Sequence, residues 1–488
     1  MVRRGTTHQP ERGERAVAPG RSARPVDLFA SLSPLDHRYA AEDPELFAEL
    51  SRYLSEAAYL RYQLRVEVAL VYGLVQLGLA PPQAAVEIEK AAACVSPEEV
   101  AEEESRTQHN VRALVNCIRR RMPEAYRQYV HWSATSVDIL DTARALQYKD
   151  ATRHLILPSL KELLEVWIAI TKREADTPQI GRTHGQHAVP ITFGFAMAWY
   201  VQRLGDRIRA VEAATGRLVG KMAGAVGAYN AASLRLPQPE RLEEAVLKYL
   251  GIAPAPISTQ IAPPEPVLDW AHALISTFGV LANFADDMRH LQRSEIGEVG
   301  EAFSPEQVGS STMPHKRNPW NFEHVKSLWK AFMPRILTVY MDQISEHQRD
   351  LTNSASGRFL PEMAAVLVHA ARRLTKVSRT LVVDRKRMQE NLQESAGLFT
   401  AEPLYILLAA AGHPDAHEAV RRLTLQPAAR EKSLIALAEN DPELAVYLAR
   451  LRPQERELLH HPERYQGRAR EKALQIAAHW EEYLASEA

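Results

Sequence analysis

The sequence predicts an all-α protein whose central part is a bundle of long helices packed side by side. Apolar residues recur at helical spacing over long stretches, while strand signals and turn signals are scarce. One stretch has apolar residues at i, i+3, i+4, i+7 and i+8, on one face of a helix: Leu160, Leu163, Leu164, Trp167 and Ile168. Patterns of this length favour a few long helices over many short ones.

Two later stretches extend the pattern into the second half of the chain. The first alternates steps of four and three, the spacing of a bundle seam: Leu274, Phe278, Leu281, Ala285 and Met288. The second repeats it: Val325, Leu328, Trp329, Phe332 and Ile336. Pro158 and Pro334 interrupt these long patterns. Because proline removes a backbone donor and clashes with the preceding turn, each is predicted to kink or break its helix.

Composition and turn signals divide the chain into four segments. Residues 1–25 are rich in Arg, Gly and Pro, which predicts a disordered basic extension and no secretory signal. Residues 26–131 mix helical patterns with turn clusters and predict an N-terminal helical domain. Residues 132–383 hold the long periodic stretches and predict the bundle domain. Residues 384–488 have short patterns separated by HPD, NDPE and HHPERY, which predict a small C-terminal helical domain.

The bulk composition excludes several classes of function. The 488 residues carry a net charge of -1, so no global field favours nucleic acid or an anionic membrane as a partner. No apolar run approaches the roughly 20 residues needed to span a bilayer. The two cysteines, Cys94 and Cys117, suit a reducing compartment and predict a cytoplasmic location. The sequence contains no HEXXH, paired CxxC or P-loop motif, so we expect neither a metal nor a cofactor.

A polar loop between two helical stretches gives the first functional hypothesis. Residues 309–323 read GSSTMPHKRNPWNFE, and their two prolines exclude a helix interior or a central strand. The loop combines two adjacent hydroxyls, Ser310 and Ser311, with Lys316 and Asn318. A lysine and an asparagine can stabilise the charge that builds on a carboxylate when a neighbouring proton leaves.

Four other polar stretches that contain histidine resemble this loop in character. They are SRTQHNV at 105–111, HWSATSVDILDTA at 131–143, GRTHGQHAVPITFG at 181–194 and SEHQRDLTNSASGRF at 345–359. Each alone has an ordinary explanation, such as a helix cap or a solvated ion pair. Together they supply imidazoles that donate protons near neutral pH, hydroxyls that hold carboxylates, and arginines that bind dianions. This inventory fits elimination from a substrate with several carboxylates.

The five stretches closely resemble the signature regions of the fumarase/aspartase superfamily and, among its branches, those of the adenylosuccinate lyases. SPLDHRY at 33–39 and ADDMRHLQRSEIGEV at 285–299 are similar to further segments of that branch. The resemblance runs from about residue 30 to the C-terminus. It implies a three-domain all-α fold and a homotetramer whose central domains form one helical core. Each active site is then shared between subunits, with its stretches coming from three different subunits.

The resemblance also implies roles for individual residues. His184 matches the general acid that protonates the departing nitrogen, and Ser310 matches the base, with Ser311 as the second choice. Other implied catalytic residues stabilise the intermediate, orient the acid or line the pocket: Lys316, Asn318, Glu323 and His131. The implied substrate-binding residues are Arg38, Tyr39, His109, Asn110, Thr135, Ser136, Asp138, Gln260, Met313, Arg349, Ser354 and Arg358.

The implied activity is the β-elimination of fumarate from adenylosuccinate and from SAICAR in purine biosynthesis, through an aci-carboxylate carbanion. Three departures bear on the substrate. IAPPEPV follows Gln260 where many relatives carry an Arg-Asp element, Asn110 stands where an aspartate is frequent, and Trp320 is unusually bulky. The alternatives are another lyase of the superfamily, a 3-carboxymuconate cycloisomerase-like enzyme, which usually lacks the histidine of GRTH, and a non-catalytic structural protein derived from a lyase.

Overall fold

A computed structural model describes residues 31–486 except 305, 307, 308, 314, 395 and 427–431. The predicted basic extension at 1–25 lies outside these described residues. The chain divides into two compact units, of which the first ends at Ala48 and the second begins at Glu49. The division into N-terminal, central and C-terminal domains stays a prediction.

The predicted all-α class is confirmed. In chain order, the α-helices are α1 Ala40–Glu42, α2 Pro44–Leu54, α3 Glu56–Gln76, α4 Pro82–Ala93, α5 Pro97–Thr107, α6 Asn110–Arg121, α7 Ser136–Ala151, α8 Leu157–Arg173, α9 Phe193–Gly216, α10 Asn230–Ser233, α11 Glu240–Leu250, α12 Glu265–Leu291, α13 Trp320–Phe332, α14 Arg335–Met341, α15 Leu360–Arg379, α16 Arg385–Glu394, α17 Ala396–Phe399, α18 Ala401–Ala410, α19 Ala416–Thr424, α20 Leu434–Glu439, α21 Pro442–Leu448, α22 Pro453–His460 and α23 Ala469–Ser486.

The described strands are short and pair two by two. They are β1 Pro178–Thr183, β2 Gln186–Thr192, β3 Val219–Gly220, β4 Ala253–Pro254, β5 Val299–Gly300 and β6 Val382–Val383. The pairs β1–β2 and β5–β6 are antiparallel, and β3–β4 is parallel. They connect and anchor helices without forming a layer of their own.

The core of the second unit is a bundle of α8, α9, α12, α13 and α15. The apolar face predicted for residues 160–168 lies inside it, because each of its five residues is at most 2% exposed. At the centre, the rings of Trp167 and Phe284 are 4.2 Å apart. Full burial of such side chains contributes roughly 1.5–3 kcal/mol each, so this face holds the bundle together. The final helix, α23, also packs against α8 and α9.

The two predicted proline interruptions differ: Pro334 separates two helices, whereas before Pro158 the chain stays helical and changes to a π-helical turn. A π-helical turn, Thr152–Ile156, separates α7 from α8, and Pro158 lies in the first turn of α8. Pro334 lies between the end of α13 at Phe332 and the start of α14 at Arg335. A helix tolerates proline in its first turn, where no intrahelical donor is lost.

Two neighbours of α12 run antiparallel to it along its length. Its contacts with the α13–α14 region are, in order, Gln292 Nε2 to the Arg317 carbonyl (3.3 Å), Lys326 Nζ to Asp286 (2.6 Å), Tyr340 Oη with His272 Nδ1 (3.0 Å) and Gln343 Nε2 to Glu265 (2.9 Å). Its contacts with α9 are Tyr200 Oη to Asp287, Arg203 to Asn283 (2.7 Å) and Arg207 to Ser276 (3.3 Å). As residue numbers fall along α12, they rise along both partners.

This alignment gives the bundle two ends, named here the Glu265 end and the Leu291 end. The 27 residues of α12 separate them by about 40 Å at 1.5 Å per residue. The indole of Trp270 donates to Thr152 at the α7–α8 junction (2.9 Å), so α7 lies at the Glu265 end. The β1–β2 hairpin immediately precedes α9 and lies at the Leu291 end.

Helix α12 corrects one expectation. By length and composition it is apolar enough to cross a bilayer, whereas the sequence was expected to contain no such run. Inside the bundle, 67% of its most apolar window is buried against protein. A helix surrounded by other helices is apolar on most of its circumference, which accounts for this composition.

Candidate active site

At the Leu291 end, the β1–β2 hairpin presents His184 at its tip. Thr183 pairs with Gln186, so the connecting turn contains only His184 and Gly185, with φ of 53° and 74°. Two successive residues with positive φ characterise the type I′ turn, whose twist matches that of the flanking strands. The imidazole of His184 is therefore exposed on a tight, well-defined turn.

A fully buried carboxylate, Glu298, fixes the hairpin to the end of the bundle. Arg182 donates to both of its oxygens at 2.5 and 3.1 Å, and Gln179 donates at 2.8 Å. Asn391 on α16 adds a third donor at 2.8 Å. A buried carboxylate requires such partners, so the network holds the hairpin in one place. Because His184 is only two residues from Arg182, it also lies at this end.

The loop at 309–318 lies at the same end and is closed on itself. Gln292, just beyond α12, donates to the carbonyl of Arg317. Asn318 Nδ2 donates to the carbonyl of Gly309 at 2.7 Å, which joins the two ends of the loop. Within it, Ser310 Oγ accepts the backbone N–H groups of Met313 at 3.1 Å and Thr312 at 3.3 Å.

The other predicted residues of this loop face solvent. Ser311, Met313 and Lys316 are exposed, and Glu323 is exposed in the first turn of α13. Of the two adjacent serines, Ser310 is the one whose oxygen accepts two backbone donors. Donors of this kind favour the deprotonated form of the group that accepts them.

At the Glu265 end, Asp138 organises the start of α7. Its carboxylate accepts the N–H of Thr135 at 2.7 Å, the N–H of Ala223 at 3.0 Å and the N–H of Gly224 at 3.1 Å. It also forms an ion pair with Lys221, and both side chains are fully buried. Asp138 was expected to bind substrate directly. Its oxygens are instead occupied inside the protein, so we assign it a positioning role for Thr135.

The buried Asp138–Lys221 pair gives a stability prediction. Lys221→Met would leave the Asp138 carboxylate buried without its cation, and we expect a loss of about 3–5 kcal/mol in the free energy of unfolding. Urea denaturation at fixed protein concentration would measure it. The matched control is the double variant Asp138→Asn, Lys221→Met, which removes both charges and should recover part of the loss. A Lys221→Met protein as stable as the wild type would contradict the assignment.

Asp141, three residues further along α7, links the loop at 258–262 to the same region. Its carboxylate accepts the N–H of Ala262 at 3.0 Å, beside the predicted binder Gln260. Burial raises the pKa of Asp141 to about 6, against the opposing effects of the Ala262 N–H and the cations Lys221 and Arg349. The Arg349 charge therefore lies near enough to Asp141 to act on its pKa.

The segment carrying Arg349 presents donors at this end. The Arg349 guanidinium donates to Asn353 at 2.8 Å, and its buried Nε has no partner among the described residues. The other two predicted residues of the segment, Ser354 and Arg358, are exposed. An unpartnered buried donor is costly unless a ligand satisfies it, so Arg349 is well suited to bind an anion.

His131 completes this cluster together with Glu67. The His131 Nδ1 is 2.6 Å from Glu67 Oε1, and the His131 N–H donates to Glu67 Oε2 at 3.1 Å. Burial lowers the pKa of His131, but the Glu67 carboxylate, with a smaller contribution from Asp138, raises it, and the net shift is upward. Arg112, in the first turn of α6, also acts on this pKa, so the start of α6 lies near His131.

His109 and Asn110 begin that helix. His109 Nδ1 accepts the N–H of Arg112 at 3.2 Å and caps α6, and both His109 and Asn110 are exposed. The predicted residues Arg38 and Tyr39 lie in the first unit, in a π-helical turn at Leu35–Tyr39.

Within one chain, the structure thus divides the predicted site into two clusters. The Leu291-end cluster contains His184, Ser310, Ser311, Met313, Lys316, Asn318 and Glu323. The Glu265-end cluster contains His109, Asn110, His131, Thr135, Ser136, Asp138, Gln260, Arg349, Ser354 and Arg358. About 40 Å of α12 separates the two clusters.

Four charged residues near the site were not predicted from the sequence: Glu67, Lys221 and Glu298, which are buried, and Asp141, which is half-buried. Asp141 could have been found, because its i+3 spacing from Asp138 places both on one helix face. Glu67 interrupts the apolar run VEVALV, and a charge in such a run indicates a buried, paired group. Lys221 and Glu298 lie in loops and carry no local signal.

Family models and related proteins match this chain over most of its length. The family model described as "Lyase" matches residues 37–331, and the one described as "Adenylosuccinate lyase C-terminal" matches residues 345–455. The chain is 35% identical over 458 residues to the adenylosuccinate lyase of Pyrococcus abyssi, covering 93% of this chain and 98% of that one. It is 34% identical over 448 residues to that of Archaeoglobus fulgidus, covering 91% and 97%.

Solved structures share the fold. A 3-carboxy-cis,cis-muconate lactonizing enzyme from Pseudomonas putida matches with a TM-score of 0.77 at 26% identity, covering 89% of this chain and 97% of that one. A fumarate lyase from Mesorhizobium sp. BNC1 matches with a TM-score of 0.78 at 25% identity, covering 88% and 97%.

Proposed function

The chain belongs to the adenylosuccinate lyase family, and from that premise we propose a general acid–base mechanism in which it eliminates fumarate from adenylosuccinate and from SAICAR. The protein is a carbon–nitrogen lyase of purine biosynthesis. The observation that supports the mechanism best is the Leu291-end cluster. It contains an exposed imidazole on a tight turn and a serine oxygen that accepts two N–H groups.

In this mechanism, Ser310 removes the proton from the carbon beside a carboxylate, and His184 donates a proton to the departing nitrogen. Serine is a weak base, so it must be activated. The N–H groups of Thr312 and Met313 support this, because they would stabilise an alkoxide at Ser310. Ser311 is the second choice for the base.

Three further residues serve the reaction at the same cluster. Lys316 supplies positive charge to the aci-carboxylate, and Glu323 orients the acid histidine. Asn318 was expected to contact the intermediate. Its amide nitrogen donates to Gly309, so we propose that it also keeps the loop closed around Ser310.

The Glu265-end cluster is proposed to bind the substrate. Thr135 and Ser136, at the start of α7, offer hydroxyls and a helix N-terminus to the succinyl carboxylates, together with Gln260. Arg349, Ser354 and Arg358 are placed to grip the phosphate. The remaining proposed binders are His109 and Asn110 in this cluster, Met313 in the Leu291-end cluster, and Arg38 and Tyr39. His131, which the resemblance implied to be catalytic, is proposed to line the same pocket.

One active site therefore requires clusters from different copies of the chain, and we propose a homotetramer with shared sites. The separation of about 40 Å along α12 supports this, since a nucleotide cannot bridge it. A second support is the apolar surface beside the bundle, where Leu337, Met341 and Ile344 are 62%, 71% and 78% exposed. Apolar patches of this kind mark interfaces between copies.

The cycloisomerase alternative is less well supported. The matched lactonizing enzyme shares 26% identity, against 35% for the adenylosuccinate lyase of Pyrococcus abyssi. His184 is present, and a separate family model for the adenylosuccinate lyase C-terminal region matches this chain. We also propose a cytoplasmic location without metal or cofactor, which suits the free thiols of Cys94 and Cys117.

Ultraviolet absorbance with adenylosuccinate tests the function. We expect an absorbance change as AMP and fumarate form, and a comparable change with SAICAR. Argininosuccinate and 3-carboxymuconate serve as controls and should give none. A well-folded tetramer that changes none of these substrates would favour the structural-protein alternative, and turnover of 3-carboxymuconate alone would favour the cycloisomerase.

A further inference from the structure

Glu67 is a buried carboxylate placed against His131. It lies in the middle of α3, is fully buried, and has apolar neighbours along the helix. Both of its oxygens contact the same residue, one the imidazole Nδ1 at 2.6 Å and the other the backbone N–H at 3.1 Å. His131 itself has φ of 60°, a conformation that only a few per cent of non-glycine residues adopt. The pair thus fixes both the ring and the backbone of His131.

This contact decides which ring nitrogen of His131 is available to a ligand. With Nδ1–H directed to Glu67, the opposite ring nitrogen, Nε2, is left to face away from the carboxylate. The His131 side chain is 22% exposed, so a ligand can reach it. Glu67 and Asp138 both favour the imidazolium and Arg112 disfavours it, while the Asp138 charge is already paired with Lys221. Of the two carboxylates, Glu67 is the one in direct contact with His131, through both of its oxygens.

We propose that Glu67 is a positioning residue, which holds His131 so that Nε2–H is presented as a cationic donor to an anionic oxygen of the substrate. This inference rests on the proposed function and adds to it a residue outside the five signature stretches. The oxygen belongs to the phosphate or to a succinyl carboxylate, which share this chemistry. Glu67 acts through His131 and is not expected to touch the substrate.

The test is the pH dependence of KM and kcat for adenylosuccinate in Glu67→Gln. Glutamine keeps the size and the acceptor oxygen but removes the charge. We expect KM near neutral pH to rise about tenfold while kcat changes by less than about threefold, because a charge-assisted hydrogen bond is lost mainly in binding. The imidazolium is the binding form, so KM rises as it deprotonates. Without Glu67 this rise should move to lower pH.

A matched control is Glu103→Gln on α5. Glu103 is also a buried, paired carboxylate, bound by Arg120 at 2.6 Å and Asn116 at 2.8 Å. Its replacement should leave KM and the pH profile unchanged. An unshifted profile in Glu67→Gln, or an equal shift in both variants, would overturn the proposal.

Two further measurements complete the test. Inhibition by AMP and by fumarate identifies the anion that His131 binds. If Glu67→Gln weakens inhibition by AMP alone, the anion is the phosphate, and if it weakens inhibition by fumarate alone, the anion is a carboxylate. If it weakens neither, the proposal is contradicted. If Glu67→Gln does not fold, His131→Asn decides, because the alkaline rise in KM must disappear in that variant. Wild-type protein that fails to cleave adenylosuccinate would overturn the proposed function itself, a result distinct from these.

Discussion

His184→Asn is expected to lower kcat by about a thousandfold while leaving the fold and the assembly intact. General acid–base groups typically contribute 10²- to 10⁴-fold to a rate, and His184 is proposed to act only as the nitrogen departs. Asparagine is the better replacement than alanine because the turn requires φ of 53°, which asparagine tolerates. Ser310→Ala should give a loss of similar size, measured by the same absorbance assay.

His460→Asn on the exposed surface of α22 serves as the control and should retain full turnover. A His184→Asn enzyme with near-normal kcat would show that the acid is a different residue. If Ser311→Ala rather than Ser310→Ala abolished turnover, the base would be Ser311, and the two N–H groups on Ser310 would have only a structural role.

Mixing two inactive variants is expected to restore activity. His184→Asn alters the Leu291-end cluster, and Gln260→Ala alters the Glu265-end cluster. When the two proteins are denatured together and refolded in equal amounts, each site draws its two clusters from different copies. About one quarter of the sites then receive two unaltered clusters, so we expect about one quarter of wild-type activity.

The matched control is a mixture of His184→Asn with His184→Ala, in which no site can regain its histidine. It should remain inactive. Absence of recovery in the first mixture, with tetramers shown to form by size-exclusion chromatography, would mean that each site is built within one chain. Because about 40 Å along α12 separates the two clusters within one chain, that result would mean that the two clusters do not form one active site.

Several features of the fold were predictable because they depend on local sequence. The apolar face at Leu160–Ile168 is buried, as its spacing predicted, since helical periodicity directly reports which side of a helix avoids water. The helix break at Pro334 and the change to a π-helical turn before Pro158 follow from the chemistry of one residue type. The polar loops were also recognisable, because proline and glycine exclude regular structure wherever they cluster.

The internal partners of the site residues could not be predicted from the sequence. Asp138 was expected to face the substrate. Its carboxylate is instead paired with Lys221 and accepts backbone N–H groups some 85 residues away in sequence. Glu67 and His131 are separated by 64 residues. No local pattern reports such pairings, because they depend on how helices pack and on which buried charge needs a partner.

The sequence by itself determined the all-α class, the helix boundaries set by prolines, and the family to which the five polar stretches point. Only the tertiary structure decided that those stretches separate into two clusters at opposite ends of α12, and that Ser310, rather than its neighbour, accepts two backbone donors. The physical reason is that periodicity and residue chemistry act over a few residues, whereas the antiparallel alignment of long helices fixes the distance between segments far apart in the chain.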